Sequence, residues 1–142
     1  MFDVDINQFK NKVEFGLSQI KDFYSAKGSG ISGRNRWLAF NPVGEIYVIV
    51  NSLDRYPSGK FNPLGYKTLI LSSVSLSPKF VGRGIYRYML ADLEAWADQN
   101  GVHIAVENIL YHRFWEFHVR RGYELYQPCS LYRKPVTVAK VA

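Results

Sequence analysis

The sequence predicts an α/β fold, a central mixed sheet of α+β type with helices on both faces. Three observations carry that prediction. Short runs rich in Val, Ile, Leu and aromatic residues read as strands, and longer stretches show the 3.6-residue stripe of amphipathic helices. Their order is helix, three strands, helix, strand, helix, two strands, an alternation that suits a sheet flanked by helices. At 142 residues, with 47% hydrophobic and 21% charged residues, the chain suits a single domain spanning 1–142.

The elements follow in order. Asp5-Ile-Asn-Gln8 has the form of a capping box, with Asp5 at the N-cap and Gln8 three residues on. The helix behind it sets Phe9, Val13, Leu17, Ile20 and Tyr24 on one stripe and ends near Ala26. Gly28-Ser-Gly-Ile-Ser-Gly33 is loop by composition, either a lid or acceptor-binding loop or a plain connection. Arg36–Phe40 and Glu45–Val50 flank Asn41-Pro-Val-Gly44, which reads as a hairpin. Residues 51–66 hold Pro57, Gly59, Pro63 and Gly65 and form a long polar loop. Lys67–Leu76 is a strand with Leu69, Leu71 and Ser73 assigned to one face. Ile85, Met89, Leu93 and Trp96 mark a helix that Asn100-Gly101 stops. Val102–Val106 is a short strand, Leu110–Arg121 a helix closed by Gly122, and Tyr123–Tyr126 and Ser130–Lys134 the final strands. Ahead of the first helix, Phe2–Val4 is a truncated strand at most, or no strand at all. A homodimer is one way to protect the open edge this leaves, and a monomer is the other expectation.

Composition narrows the function classes. The net charge of +6 favours anionic partners, whether nucleic acid, an acidic protein or a cofactor with several phosphates. The densest basic cluster is His112, Arg113, His118, Arg120 and Arg121, without the unbroken basic run of a nucleic-acid tail. Nucleic acid is therefore the lesser expectation. A single cysteine, Cys129, excludes an internal disulfide and a cysteine-based metal cluster, and suits a reducing cytoplasm. No secretory leader and no membrane-length apolar run is evident, so a cytoplasmic protein without a membrane partner is expected. His103, His112 and His118 lack metal-site spacing with carboxylates or cysteines, so no metal site is expected. No Gly-x-Ser-x-Gly elbow and no Gly-Lys-Ser/Thr loop end is present.

The chemistry-bearing segment is Val74-Ser-Leu-Ser-Pro-Lys-Phe-Val-Gly-Arg-Gly-Ile-Tyr-Arg-Tyr-Met-Leu90. A strand, a loop with Gly82 and Gly84, and a helix follow one another directly. That order presents backbone N–H groups and the positive end of a helix dipole to an anion, phosphate above all. Further on come Ala95-Trp-Ala-Asp-Gln-Asn-Gly101, Val106-Glu-Asn108 and Arg121-Gly-Tyr123.

With Leu76-Ser-Pro78 and Val81-Gly-Arg-Gly-Ile-Tyr86, these segments resemble, in order and spacing, the GNAT superfamily of acyl-CoA N-acyltransferases. The resemblance covers rather less than half the chain. It implies a GNAT-like fold and an N-acetyltransferase that moves an acetyl group from acetyl-CoA to a primary amine of an unidentified small molecule or protein. It also implies that the backbone at Leu76 meets the acyl and pantetheine part, while Val81, Gly82, Arg83, Gly84 and Ile85 cradle the pyrophosphate. The family's usual acid is a tyrosine four residues before the glycine that ends the last helix. His118 holds that position here, and a histidine titrates in the range needed to protonate a thiolate. Tyr111 and Tyr123 are the alternatives. Glu107 is the candidate base, acting directly or through water, and Asn108 would bind pantetheine or that water. Besides His118, two departures from the pattern bear on the cofactor. Val81 replaces the usual Arg or Gln, and Tyr86 replaces the usual small residue, its ring expected to turn outward over the sheet edge. Cys129 lies in a turn without an activating partner, which favours direct transfer in a ternary complex. These departures and the basic cluster also support a second reading, a catalytically inactive module of the same shape that binds an acidic protein or nucleic acid. Acylation of a nucleobase or tRNA would combine the two.

Overall fold

The computed structural model describes residues 6–25, 34–51, 68–82 and 84–136. In chain order these are α1 (Ile6–Ser25), β1 (Arg34–Phe40), β2 (Gly44–Asn51), β3 (Thr68–Leu76), α2 (Ile85–Asn100), β4 (His103–Val106), α3 (His112–Arg120), β5 (Glu124–Gln127) and β6 (Ser130–Arg133). A single 3-10 turn at Pro78–Phe80 precedes α2. The expected leading strand, Asp5 of the capping box, and the loops at 28–33 and 52–66 lie outside the described residues.

One six-stranded sheet runs in the order β1-β2-β3-β4-β6-β5. Only β3 and β4 are parallel; the other neighbours are antiparallel. A parallel pair requires a long crossover, which α2 supplies. The hairpin forms where expected, closed by Val43 N–H to Phe40 O at 3.0 Å. Gly44 is required at its exit, because a Cβ there would lie 2.2 Å from the Ser75 carbonyl oxygen. The close approach holds β2 against the end of β3, next to Leu76.

Helical periodicity places the core. Val13, Leu17 and Ile20 of α1 are buried, with Phe9 and Tyr24 half-buried on the same stripe. Ile85, Met89, Leu93 and Ala97 do the same for α2. Both stripes close over Leu38, Phe40, Val48, Leu69, Leu71 and Ile104 on one side of the sheet. Gly101 ends α2 at φ 68° and returns its N–H to Ala97 O.

Two expectations change. Tyr47 pairs with Ser73 and Val48 with Leu71, which leaves Ser72 as an extra residue in β3. This bulge reverses the alternation, so Ser73 shares a face with Tyr47 and not with Leu69 and Leu71. Helices were expected on both faces. Among the described residues, every helical side chain in the apolar clusters belongs to the core on one side. The second cluster, on the opposite face, is built from strand residues: Ile70 and Ala105 with Ile49, Tyr126 and Tyr132. The reason lies in α3, whose inward rings Phe114, Phe117 and His118 meet Tyr86 of α2 and Tyr123 instead of crossing the sheet.

Candidate functional site

The site is built where two parallel strands part. Pairing of β3 with β4 runs from Thr68–His103 to Leu71–Val106, and Glu107 N–H adds one bond to Leu71 O at 3.0 Å. Beyond that point β3 continues to Leu76 on β2 alone. The other strand turns away at Asn108, which takes φ 58°, a left-handed conformation asparagine tolerates. Asn108 Nδ2 donates to the Ser72 carbonyl at 2.7 Å and to Ser72 Oγ at 3.2 Å, and so pegs the point of parting. The bulged residue is thus the one that receives the peg. Ser72 Oγ donates to Glu107 Oε2 at 3.3 Å, and the Tyr126 hydroxyl donates to Glu107 Oε1 at 3.1 Å. Half-buried Glu107 is held from both sides by neutral donors.

Along the free end of β3 beyond the parting lies a cleft of about 510 Å³, within the range of small-molecule sites; Glu107 and Asn108 are not among its lining residues. Its walls are Val74 and Leu76 of β3, the loop before α2, the first turn of α2, and Phe114 and Phe117 of α3. Gly84 is the N-cap of α2 at φ 79° and offers no side chain to cap it. The first amides of α2 have no acceptor within the helix and sit at the positive end of its dipole, bordering the cleft. A second cleft of about 590 Å³ shares Arg87, Arg113 and Phe117 with the first and adds Arg120 and Arg121. The guanidinium carbons of Arg87 and Arg121 lie 5.9 and 5.6 Å from the centre of the Phe117 ring. Glu116 lines the second cleft too, 3.7 Å from Arg120, and Arg121 donates to Glu94, so Arg87 and Arg113, shared by both clefts, are the groups placed to hold an anion.

The fold brings Leu76, Val81, Gly82, Gly84 and Ile85 together on the first cleft. Arg83 lies outside the described residues. Val81 departs from its expected part: its N–H closes the 3-10 turn onto Pro78 O at 3.3 Å, so its amide is not free for a phosphate. Tyr111 is 78% exposed at the start of α3 and does not line the cleft.

His118 is placed differently from the expectation. It is 0% exposed, and both ring nitrogens are engaged. Nδ1 donates to the Phe114 carbonyl at 2.7 Å, so in the neutral ring Nε2 accepts, and the Tyr86 hydroxyl donates to it at 2.7 Å. Phe114, Phe117, Tyr86 and Tyr123 surround the ring edge-on. Burial holds its pKa below the usual histidine value, and the ring stays neutral. A group so enclosed does not open onto the cleft, contrary to the placement expected of an acid at this position. Tyr86 is also corrected. Its ring turns inward, between α2 and α3, and lines the cleft. Burial raises its hydroxyl pKa well above the ordinary tyrosine value, so it keeps its proton. Tyr123, the other alternative acid, is buried and donates to Glu94 Oε2 at 2.9 Å.

Sequence reasoning missed Arg87, Phe114, Phe117 and Tyr126 as parts of the site. A signal for one pair was present. Tyr86 and His118 are both departures from the family pattern, and they touch. Among the described residues no cluster of His, Cys, Asp or Glu could hold a metal ion, and no helix is long and apolar enough to cross a membrane. A comparison of the chain with protein-family models finds no match, and a comparison with curated proteins finds none either.

Proposed function

We propose that the chain is a GNAT-type N-acetyltransferase that transfers an acetyl group from acetyl-CoA to a primary amine. The observation that carries this reading is the coincidence, at one place, of parting parallel strands, a glycine loop and an open helix N-terminus. A long flexible thiol ester fits along the cleft, with its pyrophosphate at the first turn of α2 and its nucleotide toward Arg87 and Arg113. Leu76 and Val74 face its pantetheine arm. Glu107, oriented by Ser72 and Tyr126, takes a proton from the incoming ammonium. The neutral nitrogen attacks the thioester carbonyl, the C–S bond breaks, and the thiolate leaves with the second proton given up by nitrogen. No side-chain acid is needed for that balance, which agrees with the enclosed position of His118. Asn108 ties the end of β4 to Ser72 at the point beyond which the strands part.

The test is a thermal melt with acetyl-CoA and, separately, free CoA. At a hundredfold excess over Kd, linkage gives about 2.7 kcal/mol and a rise of several degrees. CoA release with amine acceptors then tests transfer. Absence of any shift with either ligand removes the reading.

A second reading, a binding module for polyanions, is favoured by the arginine-lined second cleft alone. It predicts polyanion binding that weakens steeply with salt, without CoA release.

A further inference from the structure

The charges of this basic chain are not evenly placed about the sheet. Arginines 87, 113, 120 and 121 gather around the clefts between α2 and α3. In the strands, Arg36 pairs with Val48 and Arg133 with Ile104, which puts both on the helix-bearing face. Arg133 confirms its side by bonding Asp98 of α2 at 2.8 and 2.9 Å. The opposite face reads otherwise. Register places Glu45 and Glu124 there, Glu107 joins them through Tyr126, and Lys134, which lines one cavity with Glu124 and Tyr132, is the cation at the far edge. Aromatic rings accompany the carboxylates. Trp37 and Tyr47 pair across β1 and β2 with ring centres 5.0 Å apart, and Tyr126 and Tyr132 lie 5.9 Å apart over β5 and β6.

The register lines these groups up. Trp37 opposes Tyr47, Tyr47 opposes Ser73, and Glu107 continues β4 at the level of Ser72. With neighbouring strands about 4.8 Å apart, the row from the indole to the carboxylate spans roughly 15 Å. Trp37 is 53% exposed and packs on half-buried Tyr47, so the two rings present an open aromatic surface. A carboxylate at one end of a row of aromatic faces matches an organic cation, which gains both a charge partner and ring faces.

We propose that this face is the acceptor site, and that it takes a primary ammonium carried next to an aromatic or apolar group. The ammonium meets Glu107 at the parting of β3 and β4, and its carrier lies along Tyr47 and Trp37. The acceptor thus reaches the acyl group from the acidic face while the anionic donor lies in the basic groove on the other. The proposal rests on the acyl-transfer reading for its chemistry, but the binding it predicts is independent of acetyl-CoA.

The experiment titrates the protein, without cofactor, with 4-phenylbutylamine and with the matching anion 5-phenylpentanoate, long enough to run from Glu107 toward Trp37, and follows binding by calorimetry in wild type and variants alike. An amidated phenylalanyl dipeptide is run in parallel, and tighter binding of that probe identifies a protein amine as the source. The expected result is saturable binding of the amines, no binding of the anion, and at least tenfold weakening in Glu107→Gln and in Trp37→Ala. Glu45→Gln, exposed near the start of β2, serves as a second variant if Glu107→Gln fails to fold, and it is expected to weaken binding by a smaller factor. Equal binding of amine and anion, or amine affinity unchanged in the variants, overturns the proposal. Acetyl-CoA binding is measured on the same samples. Amine binding without acetyl-CoA binding sinks the acyl-transfer reading and keeps this site, and the reverse pattern sinks this site alone.

Discussion

The Tyr86 hydroxyl donates to Nε2 of His118 over 2.7 Å and ties the first turn of α2 to the last turn of α3. Because Nδ1 of the same ring is spent on the Phe114 carbonyl, the histidine has no other use for Nε2. Tyr86→Phe keeps the ring contacts with Phe114 and Phe117 but leaves a buried acceptor unpaired. That costs about 1–3 kcal/mol. Urea melts of Tyr86→Phe, His118→Leu and the double variant are expected to show coupling of the two sites of about 1 kcal/mol or more. Strict additivity would mean that the bond contributes nothing to the fold.

The same ring gives the fold a pH dependence. Burial lowers the pKa of His118 in the folded state, so the unfolded chain binds a proton more readily. At neutral pH both states are deprotonated and no cost arises. As pH falls below about 6.5, the unfolded state takes up the proton first and stability declines until the folded pKa is reached. The wild-type melting temperature is expected to fall between pH 7 and pH 5, with a flatter profile in His118→Leu. Asp98 acts in a separate window. Its hydrogen bonds from Arg133 lower its pKa, so its contribution is lost only as pH falls below the ordinary carboxylate range. Identical slopes between pH 7 and 5 in wild type and His118→Leu would refute the assignment.

The order of elements was legible because its signals are local. The stripe Val13, Leu17, Ile20 needs only the helical period, and Gly101 announces its own left-handed stop. Gly82 and Gly84 marked the cleft for the same reason. The bulge at Ser72 was not legible, since nothing in Leu-Ser-Ser-Val tells which serine is extra until β2 is laid beside it. The exclusion of His118 from the cleft was equally hidden. It depends on a partner 32 residues away, and a buried histidine and a catalytic one share the same helical position. Tyr126 escaped notice because its bond to Glu107 exists only once β6 pairs with β4 and carries β5 on its far side, so that the Tyr126 hydroxyl reaches across β6. Face assignments, and with them the segregation of charge, follow register, which single-sequence periodicity leaves open wherever a bulge intervenes.

Glu94 is the hub of a second network and predicts a purely structural phenotype. It is buried on α2, accepts from Arg121 and from the Tyr123 hydroxyl, and lies 3.8 Å from Arg133 Nε. Removing the carboxylate strands the Arg121 guanidinium and the Tyr123 hydroxyl at once, while Arg133 keeps its bonds to Asp98. Glu94→Ala is expected to cost about 3 kcal/mol, the scale of a broken buried ion pair. Tyr123→Phe removes one neutral donor while the charges stay paired, and should cost about 1 kcal/mol. Comparable losses from the two substitutions would show that the charges, rather than the hydroxyl, contribute little.

The arginine groove gives the acyl-transfer proposal a prediction that the folded state alone does not make. Arg113 is exposed on α3, lines both clefts, and faces Arg87 across the entrance to the α2 helix terminus. CoA carries a pyrophosphate and a separate phosphate on its ribose, and the helix terminus accounts for only one of these. If the nucleotide lies toward the second cleft, Arg113→Ala weakens acetyl-CoA binding about tenfold, or ~1.4 kcal/mol. The melting temperature of the free protein should stay within about half a kcal/mol of wild type in stability, as for a surface change. Donor lacking the ribose phosphate should bind wild type and Arg113→Ala alike, because the lost contact is then missing from both. Raising salt narrows the difference between the two proteins for acetyl-CoA, since an exposed guanidinium is screened while backbone amides are not. Equal acetyl-CoA affinity in wild type and variant would move the nucleotide out of this groove and leave the arginines to the polyanion-binding reading.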